Sequence, residues 1–445
     1  MALVPDTDRA WINIDPAPLP ERHTVDAEML AWRESARDSE WPGFENSLYR
    51  QWNAAYLRSF PCESDSPIRS TPAPLFEFET PDGSLMPLYR YLPERTDPLG
   101  MRTNRFAWRG PDLPLDKPPG TVRLAFVGAS TTVGSKHCRA SYPEYVIHWL
   151  NLWAKTEYPN LHFDGINAGR EGLTSTHIVA IVRDEVLPME PDLILYYEGV
   201  NQLNRWIARE KSLKDIPPAE EDQTLAAVSD YSVLALRLRG FILALRRTDE
   251  EPVKPTHKVS WPSSVSLREP DPFDPKLPYD LPRIMYDLDI MKRLVTSEGS
   301  EFAIASFVFL AEDGMTLNPW RDGQIENFYR KGLWPLTYEE IRERADFENR
   351  VFRSYANARI MAFVDLAAAY PQDASLFLDG VHINCDGIRL QAWIVFQKLL
   401  PLVKSRLAAE QWPRSDKDTL HSHPGIPAAR LAENDCTDPS ATKTD

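Results

Sequence analysis

The chain has 445 residues, of which 43% are hydrophobic and 13 are tryptophan, and its formal net charge at pH 7 is -15. This apolar content suffices for a folded core and excludes a wholly disordered chain. The acidic balance argues against nucleic acid or an anionic membrane surface as the main partner, because both would repel it.

The spacing of the cysteines bears on the redox state and the compartment. Cys62, Cys138, Cys385 and Cys436 lie far apart without a CxxC pair, which is neither a zinc pattern nor a dense disulfide scaffold. We therefore expect reduced thiols. The first residues show no secretory leader, and no run reaches the roughly 18 apolar residues of a membrane-spanning helix. The sequence predicts a soluble, cytoplasmic protein with no transmembrane segment.

Residues 1–118 are rich in proline and tryptophan and show weak periodicity. We interpret them as an irregular, partly β accessory segment, with a short helix over 26–36 and a hairpin or two short strands over 75–78 and 88–92. The stretch 102–112, RTNRFAWRGPD, mixes cations with aromatics. We interpret it as a loop packed against the next domain, with ligand contact as the alternative.

Regular α/β patterning begins at residue 119 and continues to about 408. Apolar strands over 122–127, 161–166 and 193–197 each end in Gly or Asn, and helices over 142–157 and 175–186 separate them. Such units indicate a parallel sheet covered by helices, with a site beyond the carboxyl ends of its strands. The remaining predicted elements are strands over 302–309 and 360–366 and helices over 281–297, 337–355 and 386–407.

An insertion at about 203–280 interrupts this domain. It contains an amphipathic helix over 224–247, which we interpret as a lid or packing helix, with binding to a membrane surface as the alternative. An extended connector rich in proline and acidic residues follows over 249–278. Residues 409–445 are polar and are predicted to form a disordered tail. The predicted division is therefore 1–118, 119–408 with its insertion, and 409–445.

A candidate nucleophile lies in the turn after the first of these strands. The run RLAFVGASTTVG, residues 123–134, ends its strand at Gly128 and places Ser130 at a helix start, where N–H groups favour a developing negative charge. Asp379 stands three residues before His382, in the loop after the last strand. A carboxylate there can orient one ring nitrogen and leave the other to take a proton from serine. We expect these turns to share one edge of the sheet.

Four short blocks at strand ends carry a resemblance to a known family: Gly128-Ala129-Ser130, Asn167-Ala168-Gly169, Gly199-Val200-Asn201 and Asp379 to His382. In this order the chain resembles the SGNH hydrolases, also called the GDSL esterase and lipase superfamily, over about 119–408. The resemblance implies a three-layer α/β/α fold with a parallel, flavodoxin-like sheet. Ala129 and Gln202 depart from the family pattern, which usually has Asp at both positions.

The resemblance also implies a role for each residue. Ser130 would be the nucleophile, His382 the general base and acid, and Asp379 the residue that orients His382. The backbone N–H groups of Ser130 and Gly169 and the side-chain amide of Asn201 would form the oxyanion hole. No cofactor and no metal take part in such a mechanism.

The expected function is serine-dependent hydrolysis of a small acyl ester, such as acetyl on a carbohydrate, through an acyl-enzyme. Two alternatives stay open: acyl transfer to an alcohol acceptor by the same triad, and a non-catalytic binding protein. Aromatic side chains of the loop over 311–335 could line the substrate pocket or pack under the loop; they are Trp320, Tyr329 and Trp334. His177 could border the site or pack within its helix.

Other chemistries fit the sequence poorly. Residues 128–136 read GASTTVGSK, in which the second glycine and the lysine are out of register with a P-loop. No GxGxxG fingerprint opens a helix here, and there is no HExxH metal motif. His421 and His423 lie in the predicted tail and are interpreted as incidental.

Overall fold

The computed structural model describes residues 100–202, 281–311 and 338–414 continuously, the short strands at 76–78 and 89–91, and isolated residues between these ranges. Several predicted features lie outside the described residues: the helices over 26–36 and 224–247, nearly all of the connector over 249–278, the aromatic side chains at 320, 329 and 334, and the tail after 414.

Two three-residue strands precede the main sheet. β1 (Phe76–Phe78) and β2 (Tyr89–Tyr91) pair antiparallel, with Glu77 opposite Arg90. This pairing agrees with the hairpin or strand pair predicted for this part of the accessory segment. The side chain of Tyr91 is fully buried against the following domain.

A five-stranded sheet forms the centre of the domain. Its strands are β3 (Thr121–Gly128), β4 (His162–Asn167), β5 (Leu193–Tyr197), β6 (Glu301–Ala305) and β7 (Ala362–Val364), in the order β4-β3-β5-β6-β7. Every neighbouring pair is parallel. The first strand of this sheet lies between the second and third, which is the flavodoxin-like order. The predicted fold class is confirmed.

The helices follow the predicted order. They are α1 (Ser130–Val133), α2 (Tyr142–Glu157), α3 (Ser175–Ile181), α4 (Leu281–Ser297), α5 (Tyr338–Ala358) and α6 (Cys385–Ala408). Helix α3 continues as a π-helical turn over Val182–Val186. In the described ranges, no helix has the length and apolar content needed to cross a membrane. The cytoplasmic location stays a prediction.

The two faces of the sheet have separate apolar cores, because successive strand residues point to opposite sides. On one face, Phe126 packs with Trp149 of α2 and Trp393 of α6. On the other face, Val127 packs with α3 and α4, including Ile284. Helices therefore cover both sides, which gives the three layers.

Strands β6 and β7 are shorter than predicted. The apolar run 302–309 continues beyond Ala305, but the side chain of Asn349 on α5 replaces the strand partner at Phe307. Its Oδ1 accepts from the Phe307 N–H at 2.7 Å, and its Nδ2 donates to the Phe307 carbonyl at 2.9 Å. The backbone there is satisfied without a neighbouring strand.

The buried carboxylate of Asp192 binds residues from both ends of the domain, at the amino edge of the sheet. Asp192 accepts from Lys117 Nζ at 2.9 Å, from the Arg123 N–H at 2.8 Å and from the Arg414 N–H at 2.9 Å. Trp412 is also buried. The packed chain thus continues beyond the boundary predicted at residue 408. The rest of the predicted division into domains stays a prediction.

Trp149 offers a test of the core between α2 and α6. It is fully buried, and its ring lies edge-on to Trp393 with the centroids 5.6 Å apart. Trp149→Ala should lower the free energy of unfolding by about 3–5 kcal/mol through lost burial and an unfilled cavity. Denaturant titration measures it, with Tyr286→Ala at an exposed aromatic as the control. Equal losses in the two variants would contradict this account.

Candidate active site

A chain of hydrogen bonds joins the three side chains predicted as a triad. Ser130 Oγ lies 2.7 Å from His382 Nε2, and His382 Nδ1 lies 2.8 Å from Asp379 Oδ2. The serine follows β3, while His382 lies 252 positions later in the chain, before α6. The structure therefore brings Ser130, His382 and Asp379 together as predicted from the sequence.

The loop that carries His382 is folded back on itself. Asp379 Oδ1 accepts from the N–H groups of Val381 and His382 at 2.9 and 2.8 Å. The Leu378 N–H donates to the His382 carbonyl at 2.7 Å. Asn384 then caps α6 by accepting from the Gly387 N–H at 3.0 Å. These local bonds fix the imidazole ring relative to its carboxylate.

Asp379 is held in its ionised form. Burial opposes ionisation, but the His382 ring and the N–H groups of His382 and Val381 together outweigh it, so the pKa of this carboxyl lies below its ordinary value. The ionised carboxylate of Asp379 therefore lies against the Nδ1 atom of His382, at 2.8 Å.

The turn at Ser130 is a single helical turn that is tightly packed. A Cβ on Gly128 would lie 2.1 Å from both the Thr132 Oγ1 atom and the Tyr197 carbonyl oxygen. Thr132 Oγ1 donates to that same carbonyl at 2.9 Å, which ties α1 to the end of β5. Only glycine fits at 128, so the strand can stop abruptly and present Ser130 at its end.

Gly169 lies against the backbone of α1. A Cβ there would lie 2.4 Å from the Val133 nitrogen. However, the Gly169 N–H donates to Asn167 Oδ1 at 3.1 Å. As a donor to an oxyanion, it would have to share or exchange this bond.

Asn201 follows the end of β5, on the edge that carries Ser130. Its Nδ2 donates to the Leu173 carbonyl at 3.0 Å. A carboxamide has two N–H groups, so this bond leaves one of them for another acceptor. Its backbone N–H donates to Glu198 Oε1 at 2.7 Å.

His177 packs within its own helix. Its Nδ1 accepts from the Thr174 N–H at 3.1 Å and lies 2.9 Å from Thr174 Oγ1, so the ring closes a capping box at the start of α3. Burial lowers its pKa, although Asp287 partly opposes this shift. These contacts agree with the interpretation of His177 as a histidine packed within its helix.

The expectation of reduced thiols is wrong for two of the four cysteines. Cys138 and Cys385 form a disulfide across 247 residues, from the segment after α1 to the first residue of α6. The sequence rule failed because it looks for close spacing, whereas here the fold brings distant residues together. Disulfides are typical of proteins that fold in an oxidising compartment.

Among the described residues, one group has ligand types and spacing suited to a metal. The side chains of His137, Cys138 and Cys385 have their ligand atoms within 4.8 Å of one another. The disulfide occupies both sulfurs, so this group is not a ligand set while the bond is intact.

A buried carboxyl pair lies behind the Asn201 turn, and no sequence motif indicated it. Glu198 and Glu348 are almost fully buried, and within the described ranges neither oxygen of Glu348 has a hydrogen-bond partner. Burial raises the pKa of Glu198 to about 8, despite the N–H groups of Asn201 and Gly199. Burial also raises the pKa of Glu348; the charge of Arg344 opposes this shift, and Glu198 adds to it.

The disulfide should contribute measurably to stability. The double variant Cys138→Ala/Cys385→Ala should have a free energy of unfolding about 2–4 kcal/mol lower, because the cross-link restricts the unfolded chain. Adding a reductant should lower the Tm of the wild type but not that of the variant. If an alkylating agent modifies both Cys138 and Cys385 in wild type that has been unfolded without reductant, the disulfide is contradicted.

The carboxyl of Glu198 should make stability depend on pH. Folded protein keeps its proton to about pH 8, whereas the ordinary value is 4.5, so the free energy of unfolding should fall as pH rises between these values. Glu198→Gln keeps a neutral acceptor for Asn201. Its stability relative to wild type should therefore increase from pH 4.5 to pH 8.

Denaturant titrations across this range measure that difference. Glu157→Gln, at an exposed position on α2, is the control for loss of one formal charge. If the difference in the free energy of unfolding between Glu198→Gln and wild type does not change with pH, Glu198 does not carry a proton in the folded protein.

Comparisons with known proteins come from solved structures, since no protein-family model matches the sequence and no curated protein matches it. The chain is similar to Axe2, an acetylxylan esterase from Geobacillus stearothermophilus (15% identity, 64% of this chain and 95% of that chain, TM-score 0.34). It is also similar to a GDSL-like lipase from Bacteroides thetaiotaomicron (14% identity, 64% and 88% covered, TM-score 0.31). A further match is LAE5, an alpha/beta hydrolase enzyme from the metagenome of Lake Arreo, Spain (14% identity, 65% and 97% covered, TM-score 0.33).

Proposed function

We propose that the protein is a serine-dependent acyl-ester hydrolase of the SGNH type, acting on a small acyl ester such as acetyl on a carbohydrate. The observation that carries the proposal is the continuous hydrogen-bond chain from Ser130 Oγ through both nitrogens of His382 to Asp379. A hydroxyl, an imidazole and an ionised carboxylate in this order are the parts of an activated nucleophile.

In the proposed reaction, Ser130 Oγ attacks the ester carbonyl while His382 Nε2 takes its proton. Asp379 holds the ring through Nδ1 and stabilises the positive charge that forms there. The protonated His382 then donates its proton to the leaving alcohol as the tetrahedral intermediate collapses to an acyl-enzyme. Water attacks this acyl-enzyme in a second round with the same proton transfers, which restores Ser130.

The negative charge on the carbonyl oxygen requires donors at the carboxyl edge of the sheet. We assign this role to the N–H groups of Ser130 and Gly169 and to the Asn201 amide. Each such donor typically stabilises the transition state by about 3–4 kcal/mol. For Gly169, the incoming oxyanion would compete with Asn167 Oδ1 for the same N–H.

A fluorophosphonate probe tests the proposal directly, because it reacts with an activated serine and not with ordinary serines. Intact mass should show one adduct on wild type and none on Ser130→Ala or His382→Ala. Matched controls are Ser375→Ala, on an exposed turn, and His162→Ala, at the start of β4 away from the site; both should keep the adduct. Folded wild type that gains no adduct would overturn the hydrolase proposal in favour of a binding protein.

Turnover then defines the substrate class. Acetyl esters, including acetylated sugars, should be cleaved faster than long-chain esters of the same alcohol. A preference for long chains would contradict the small-acyl part of the proposal. Product analysis with an added alcohol acceptor separates hydrolysis, which yields the free acid, from acyl transfer, which yields a new ester.

A further inference from the structure

An arginine of the accessory segment, Arg109, binds the backbone that follows Ser130. It lies outside the four blocks that carry the family resemblance. Arg109 lies in the RTNRFAWRGPD stretch and is only 4% exposed. Its backbone forms an isolated bridge with Asn167, at the end of β4. Its side chain reaches the segment that follows Ser130.

The guanidinium of Arg109 binds four backbone carbonyls within residues 133–138. Nη1 donates to the carbonyls of Val133, Gly134 and Ser135 at 3.0, 3.1 and 3.0 Å, and Nη2 donates to that of Cys138 at 2.7 Å. The carbonyls at the end of a helix have no partners within the helix and favour a cation. Arg109 thus supplies both donors and charge where α1 ends, one turn after Ser130.

A short network connects Arg109 to the glycine block as well. Arg109 Nε lies 3.3 Å from Glu144 Oε2, which accepts from Ser141 Oγ at 2.7 Å. Ser141 Oγ accepts from Asn167 Nδ2 at 3.0 Å, and the same amide donates to the Thr132 carbonyl at 3.2 Å. Asn167 Oδ1 in turn receives the Gly169 N–H.

The segment that Arg109 holds also contacts the loop of the imidazole. Ser135, whose carbonyl is bound to Arg109, donates from its Oγ to the Ile383 carbonyl at 2.9 Å. Ile383 directly follows His382. One side chain therefore supports both halves of the Ser130–His382 pair.

We propose that Arg109 is a positioning residue, which fixes Ser130 Oγ against His382 Nε2 by holding the carbonyls of residues 133–138. This inference rests on the proposed function. It assigns the accessory segment a part in the active site, although Arg109 itself contacts none of the three triad side chains through the bonds described. Lysine cannot replace it, because a single ammonium group cannot span these carbonyls as the planar guanidinium does.

A second buried arginine provides a matched control. Arg123, at the opposite edge of the sheet, is fully buried and donates to the carbonyls of Leu115, Met189 and Pro114. It also pairs with Asp164 at 2.8 Å. Arg123→Lys removes a comparable set of buried bonds, but far from Ser130.

The experiment measures fluorophosphonate labelling as a maximal rate (kinact) and a binding constant (KI), alongside Tm. Arg109→Lys should lower kinact by about 100-fold, since small misplacements of reacting groups have effects of this size, with KI little changed. Arg123→Lys should lower Tm comparably and leave kinact within about threefold of wild type, because distant sites act independently. If Arg109→Lys does not fold, Glu144→Gln, which loosens the same guanidinium, should lower kinact by about tenfold.

The outcomes separate this inference from the proposed function. If wild type is labelled and folded Arg109→Lys is labelled equally fast, the positioning role alone is overturned. Equal losses of kinact in Arg109→Lys and Arg123→Lys would show that Arg109 is merely structural. Wild type that does not label overturns the proposed hydrolase, and the positioning role falls with it.

Discussion

The site depends on the joining of two segments that are far apart in sequence. Residues 130–138 and 382–385 are linked three times: by the Ser130–His382 hydrogen bond, by Ser135 Oγ on the Ile383 carbonyl, and by the Cys138–Cys385 disulfide. The parallel sheet makes this meeting possible, because strand ends distant in sequence share one edge. Each link restricts the same relative motion, so a serine and an imidazole on separate loops are held within hydrogen-bond distance.

Much of the fold could be predicted because its signals are local. Apolar runs followed by glycine or asparagine predicted the ends of strands β3 and β5 to within one residue. Helices α2 and α4 begin and end at the predicted residues. The errors occur where tertiary contacts override the local pattern. The run 302–309 is apolar except for Ser306, yet strand pairing ends at Ala305, and the Asn349 side chain binds the backbone of Phe307 instead. Trp412 lies in a polar stretch and is nevertheless buried.

The meeting of Ser130, His382 and Asp379 could be predicted for the same reason, because a short motif at a strand end determines where its side chain will lie. Three other features of the site have no such signal. Nothing in the sequence distinguishes Arg109 from the other arginines, because the carbonyls that it binds lie 24 to 29 residues away in the chain. The disulfide joins cysteines without motif spacing, and nothing near Glu198 in sequence indicates Glu348, which approaches it from α5. The supporting groups depend on long-range packing, which spacing rules do not capture.

The order of the chain has a consequence for biosynthesis. Cys138 precedes Cys385 by 247 residues, so at about 5–20 residues per second the ribosome needs on the order of 10–50 s to make the intervening chain. Throughout this interval the Cys138 thiol exists without its native partner, and Ser130 exists without its imidazole. Strands β3, β4 and β5 can associate early, whereas the edge that carries the site is completed only when α6 has emerged. A nascent chain that has reached the end of β7 would therefore contain all five strands of the sheet but not yet His382, the hydrogen-bond partner of Ser130.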